Sequence, residues 1–215
     1  MTLKEALFEL IEENVLIDFD EKNDQNEAIE IKETNHQDTN YKPQKSKKQK
    51  LKSVKIVGIE KIIIAFKPDD KNYNFLGGLI KDKVKHIKKA CDGIIFCKIK
   101  GQNYVLLVEL KSDYKDGLQD KYKAGRLLIS FLNEILKNYY NITENFMVIN
   151  VLFDTNPQKG KPMFLPVPSQ RKENIEIYVQ QGFQKSEGNE SRIRDILNAI
   201  NEEQSGNNNI TYLNY

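Results

Sequence analysis

Tryptophan is absent, and cysteine and histidine occur twice each, as Cys91, Cys97, His36 and His86. A zinc site needs four such ligands close together, and the cysteines lack a Cys-x-x-Cys spacing, so structural zinc and a disulfide framework are excluded as organising principles. A Ser-His or Cys-His nucleophile would have to use His36, in a polar tract, or His86, among lysines, which argues against that chemistry. Only four of the 33 basic residues are arginine. Lysine is thus spread through the chain as a compositional habit, and a lysine run alone is weak evidence for a binding surface. No stretch approaches the roughly 20 apolar residues of a membrane span. The first fifteen residues are broken by Glu5, Glu9, Glu12 and Glu13, which suits an amphipathic helix and not a secretory leader. The expectation is a soluble, cytoplasmic protein with no membrane partner.

What is present is charge. Of 215 residues, 30% are charged and 39% hydrophobic, against about 25% and 45–50% in ordinary globular chains. The charges nearly cancel, at +2, so their placement matters more than their sum. Between residues 18 and 38 eight carboxylates face only Lys22 and Lys32, and between 42 and 55 seven lysines occur with no acid. Blocks of this kind stay solvated. The chain therefore divides into an N-terminal helix (1–17), a charged, flexible linker (18–52) in which 28–31 could form a short strand, an α/β domain (53–204) and an Asn-rich tail (205–215).

Within the domain, residues 54–66 are β-branched and apolar, as in one long strand or a bent pair. Residues 92–97 and 104–111 read as two strands of a hairpin turning at 100–103. Leu118, Tyr122, Gly125, Ile129, Leu132 and Leu136 recur every three or four positions, giving a helix over 116–139. Residues 146–153 and 175–179 are further strands, 157–168 is a proline-rich loop, and a last helix is expected over 191–201. The fold class is α/β, a mixed central sheet of four or five strands with the 116–139 helix on one side and terminal helices on the other.

The chemistry is concentrated in the hairpin. Val105, Leu106, Leu107 and Val108 are apolar on both strand faces, and then Glu109 and Lys111 appear on one face, two residues apart. A carboxylate and an ammonium at the end of a buried strand are costly unless paired with each other or with a metal. Asp92, at the start of the neighbouring strand, can come close to Glu109, and two carboxylates gathered there would repel unless a divalent cation joined them. Two carboxylates on Mg²⁺ or Mn²⁺ with a nearby lysine are what phosphodiester hydrolysis requires.

Cys91-Asp92 followed by Glu109-Leu110-Lys111 resembles the PD-(D/E)XK nuclease superfamily, whose signature is an Asp on one strand and (D/E)-x-K at the end of the next. The resemblance covers about residues 54–180 and implies a restriction-endonuclease-like core. It also implies Asp92 and Glu109 as metal ligands, the Leu110 carbonyl as a further ligand, and Lys111 orienting the attacking water. In that fold the helix after the motif commonly carries a Gln or Lys near the site, a role Gln119 or Lys123 would fill. An acid on an early helix would add to the metal shell, with Glu5, Glu9, Glu12 and Glu13 as candidates. Cys91 stands where the motif has Pro, which removes no ligand. The substrate implied is nucleic acid, DNA ahead of RNA, and a homodimer would suit cutting of both strands.

Plainer readings stand beside these. Glu109 and Lys111 could form an ordinary surface pair, Asp92-Gly93 a turn, Gln119 and Lys123 a polar helix face, and the cysteines, both odd-numbered and so on one strand face, small core residues. Two other functions remain open. One is an inactive nuclease-like module that binds nucleic acid through lysines. The other is a protein-interaction component of a defence or toxin system that docks a partner through residues 1–52.

Overall fold

The computed structural model describes residues 1–20, 27–32, 53–68, 91–111, 118–154, 175–179 and 190–192. In chain order they form α1 (Leu3–Leu10), a 3-10 turn (Glu13–Val15), β1 (Phe19–Asp20), β2 (Glu27–Lys32), β3 (Ser53–Ile59) and β4 (Lys61–Phe66). There follow β5 (Gly93–Ile99), β6 (Gln102–Lys111), α2 (Leu118–Tyr140), β7 (Met147–Asp154), β8 (Ile175–Val179) and β9 (Glu190–Arg192). The Thr2 hydroxyl accepts a hydrogen bond from Glu5 N while the Glu5 carboxylate accepts one from Thr2 N, a reciprocal cap that fixes the start of α1.

A five-stranded sheet, in the order β4-β5-β6-β7-β8, carries the centre of the molecule. β4, β5 and β6 run antiparallel, whereas β6, β7 and β8 run parallel, and α2 makes the crossover that a parallel β6–β7 pair requires. The β5–β6 hairpin closes through Lys100 and Gly101, both at positive φ, the backbone of a two-residue turn whose twist matches its strands. The Glu60 carboxylate accepts a hydrogen bond from Gly101 N at 3.0 Å and holds that turn.

Both described α-helices lie on one face of this sheet. Ala6 and Leu7 of α1 and Leu118, Tyr122, Ile129, Leu132 and Leu136 of α2 share a core with Ile94, Phe96, Val105, Leu107 and Leu152. Among the described residues the opposite face is covered by a second sheet, β1-β2-β3-β9, and the N-terminal helix, expected there, lies on the α2 face instead. Ile29, Ile31, Val54 and Ile56 pack there against Ile95, Cys97, Leu106, Val108, Leu110 and Val151. Alternation explains the difference: β2 buries Ile29 and Ile31 and exposes Glu30 and Lys32, a half-buried strand set among so many charges that its period is easily missed.

Residues 54–66 are a bent pair whose two arms belong to different sheets. Gly58, at φ 84°, supplies the left-handed residue near the corner. The first helix is shorter than residues 1–15, because the chain after Leu10 becomes an edge staple. Ile17 N donates to Ala65 O and Lys67 N to Val15 O, each at 2.8 Å, and Phe19 then pairs with Ile29. Ser191 and Arg192 are in β9, so the expected last helix does not begin there; residues 193–201, the 157–168 loop, the lysine-rich segment before Asp92 and the tail lie outside the described residues. Most of 18–52 does too, apart from residues 18–20 and β2.

Gly125 sets how closely α2 approaches the sheet. A Cβ there would lie 3.1 Å from Leu107 Cδ1 and 3.4 Å from Cys91 Sγ. Gly125→Leu is expected to cost about 3 kcal/mol by overpacking, seen as a lower urea midpoint at unchanged m-value.

Candidate functional site

β6 is the central strand, paired on both sides, and its last turn of register builds the site. Odd-numbered Val105 and Leu107 face α2, so Glu109 faces it as well, and it is wholly buried. Gly93 pairs with Val108, which brings Asp92, at the bend before β5, alongside the end of β6. Asp92 is buried, at 4% exposure, and its Oδ2 accepts a hydrogen bond from Leu110 N at 2.7 Å. In effect the carboxylate continues the β5 ladder after the backbone has turned away. Gly93, which follows it, packs closely on the second sheet, where a Cβ would sit 3.0 Å from Ile31 Cδ1.

Opposite Glu109 stands Lys121, in the first turn of α2. Its Nζ lies 2.6 Å from Glu109 Oε1, with the lysine side chain 19% exposed and the glutamate 1%. Cys91 fills the space between strand and helix, its Sγ 3.7 Å from Lys121 O. Burial pushes the Cys91 thiol well above its usual range, and the negative charge of Glu109 adds to this, with Lys121 and Arg126 opposing. That thiol therefore senses Asp92, Glu109, Lys121 and Arg126 together. The bend at Asp92 also puts Cys91 on the α2 face while Cys97 faces the second sheet, so the two cysteines do not share a face.

The expected site residues separate as follows. Asp92 and Glu109 are buried at the ends of adjoining strands, and Leu110 contributes its amide to Asp92. Lys111 ends β6 opposite Asp154, and its side chain falls outside what is described. Gln119 is half-buried in the first turn of α2, and Lys123 is exposed. The lysine that reaches Glu109 is thus neither Lys111 among the described contacts nor Lys123, but Lys121. It lies four residues before Gly125, on the flank where the helix is closest to the sheet, and that relation to a buried glycine was the available signal. Asn150, 1% exposed, was also missed; it stands on the α2-facing side of β7 beside Leu107, and its signal was a lone amide inside the run Val148 to Leu152. Of the early acids, Glu5 caps α1, and Glu9 is hydrogen-bonded to Tyr140. Tyr140 is nineteen residues along α2 from Lys121, about 28 Å at 1.5 Å per residue, so Glu9 serves the far end of the helix.

Both thiols are buried and shifted upward, chiefly by desolvation. A raised folded pKa means that above about pH 8.5 the unfolded chain releases a proton that the folded chain retains, so stability falls as pH rises beyond that point and is unaffected by these groups below it. Between pH 7.5 and 9.5 the loss is about 1.4 kcal/mol per thiol. Urea unfolding under reducing conditions checks this, with Cys97→Ala removing half of the effect.

No protein-family model, curated protein or solved structure matches this chain. Among the described residues no helix is long and apolar enough to cross a membrane.

Proposed function

We propose that the chain is a metal-dependent nuclease of the PD-(D/E)XK type with a restriction-endonuclease-like core, hydrolysing phosphodiester bonds of DNA in preference to RNA. The observation that carries this reading is the burial of two carboxylates, Asp92 and Glu109, at the adjoining ends of two central strands, with a lysine ammonium on one of them. Oxygen donors of this kind suit a hard cation, and Mg²⁺ is commonly held by one or two carboxylates with water and substrate phosphate completing its shell. Mg²⁺ or Mn²⁺ bound there would lower the pKa of a water and polarise the phosphoryl oxygen. Asp92 and Glu109 would hold the ion, aided by the Leu110 carbonyl. The Leu110 amide fixes the Asp92 carboxylate. Lys111 would orient the attacking water, and Gln119, half-buried at the start of α2, would contact it or the phosphate.

The test is cleavage of duplex DNA, single-stranded DNA and RNA by the purified chain with Mg²⁺, Mn²⁺ or EDTA. Metal-dependent cleavage supports the reading. Binding without cleavage, weakened by salt and indifferent to metal, would instead make the chain a nucleic-acid-binding module.

A further inference from the structure

Lys121 breaks a local rule. It is a cation in the first turn of α2, the end of a helix at which cations are disfavoured, and it inserts its ammonium beneath the helix into a nearly dry site. Residues that violate local preference in this way tend to be held by something they do for function. Among the described contacts the Lys121 ammonium meets Glu109 Oε1 at 2.6 Å. That oxygen belongs to one of the two carboxylates assigned above to the divalent ion, and an ammonium at hydrogen-bond distance fills the volume in which an ion would bind it, at about 2.1 Å. An ion seated on Oε1 from that side has to displace the ammonium, whereas one held through Oε2 alone would leave it in place.

We propose that Lys121 is a resident counterion which neutralises Glu109 in the metal-free protein and leaves it when a divalent ion binds. The inference rests on the nuclease reading of this site and adds to it how the ion's entry is controlled. A buried pair of carboxylates would otherwise be unstable without metal, and Lys121 lets the strands close over them. Its position suits release. The side chain is 19% exposed, so the ammonium has a route to solvent, and the flexible four-carbon stem lets the charge swing while the backbone of α2 stays in place. Arg126, five residues further along α2, is a second positive charge within electrostatic range of Cys91. The site thereby exchanges a protein cation for a metal cation.

The experiment is a Mn²⁺ titration followed by electron paramagnetic resonance of the free ion, on the full chain and on Lys121→Met and Lys121→Arg. Lys121→Met is expected to bind Mn²⁺ about tenfold or more tightly than the parent, the value of one charge-assisted hydrogen bond no longer in competition. Lys121→Arg retains the counterion and is expected to stay within about threefold of the parent. Equal or weaker binding by a folded Lys121→Met overturns the inference and leaves the nuclease reading standing. If Lys121→Met fails to fold, the parent answers alone: with ¹³Cε-labelled lysine, saturating Mg²⁺ should shift the Lys121 resonance toward its solvated position, and an unmoved resonance overturns the proposal. A parent that takes up neither ion at millimolar concentration overturns the metal reading itself, and this inference with it.

Discussion

Asp92→Asn and Glu109→Gln should each lower Mg²⁺-dependent cleavage by about three orders of magnitude or more while leaving a cooperatively folded protein. Charge stabilisation by a bound metal is worth several kcal/mol in the transition state, and each 1.4 kcal/mol is about a factor of ten in rate. Both substitutions keep the shape of the side chain and remove the negative charge that would hold the ion. They differ in what they do to the fold. Asn at 92 still presents an oxygen to Leu110 N, so the hydrogen bond that continues the β5 ladder can be retained. Asp92→Ala removes the acceptor and leaves a buried amide unsatisfied, which adds about 1–3 kcal/mol of destabilisation. Comparing Asn with Ala at this position therefore separates chemistry from folding. Cleavage at the parental rate by Glu109→Gln would show that this carboxylate is not part of the machinery, whatever activity the chain has.

How much of this was legible in the sequence depended on whether a signal was local. The β5–β6 hairpin, α2, β7 and β8 follow from periodicity and turn chemistry, because each is an apolar pattern bounded by breakers. Glu109 could be placed on the α2 face by counting from Val105 and Leu107. The second sheet was harder. Its strand β2 is six residues inside an acidic tract, and Ile29 and Ile31 acquire their meaning only when Val54 and Ile56, across the lysine-rich segment, pair beside them. That pairing is non-local, and composition pointed the other way. At the site, the identity of the buried carboxylates was a matter of strand register and could be read, whereas the choice among Gln119, Lys121 and Lys123 turned on the rotation of α2 about its own axis. Rotation is fixed by packing: Gly125 against Leu107 and Cys91 brings the flank carrying Lys121 inward and leaves Lys123 exposed. The two cysteines were misplaced for a related reason, since a period of two holds only while the strand continues, and the chain bends at Asp92.

Removing one member of the Glu109–Lys121 pair should destabilise the metal-free protein far more than removing both. Lys121→Met leaves Glu109, 1% exposed, without the ammonium at 2.6 Å. Breaking a buried pair in this way costs about 3–5 kcal/mol, and the 19% exposure of the lysine places the expected loss at the lower end, about 3 kcal/mol. Replacing both partners by apolar residues of similar volume, Glu109→Leu with Lys121→Met, removes the desolvation cost as well as the attraction and is often neutral or stabilising by about 1–4 kcal/mol. The double variant should accordingly be at least as stable as the parent in EDTA, with a coupling energy of about 3 kcal/mol between the two positions, measured by urea unfolding at neutral pH. Additivity within about 0.5 kcal/mol would mean that the 2.6 Å contact carries no weight in the folded protein. If the double variant is more stable than the parent yet cuts nothing, the pair is kept at a cost in stability. A charge placed under a helix at the end where it is least favoured, on a carboxylate that leucine would replace without loss, would then point to the chemistry proposed for the site.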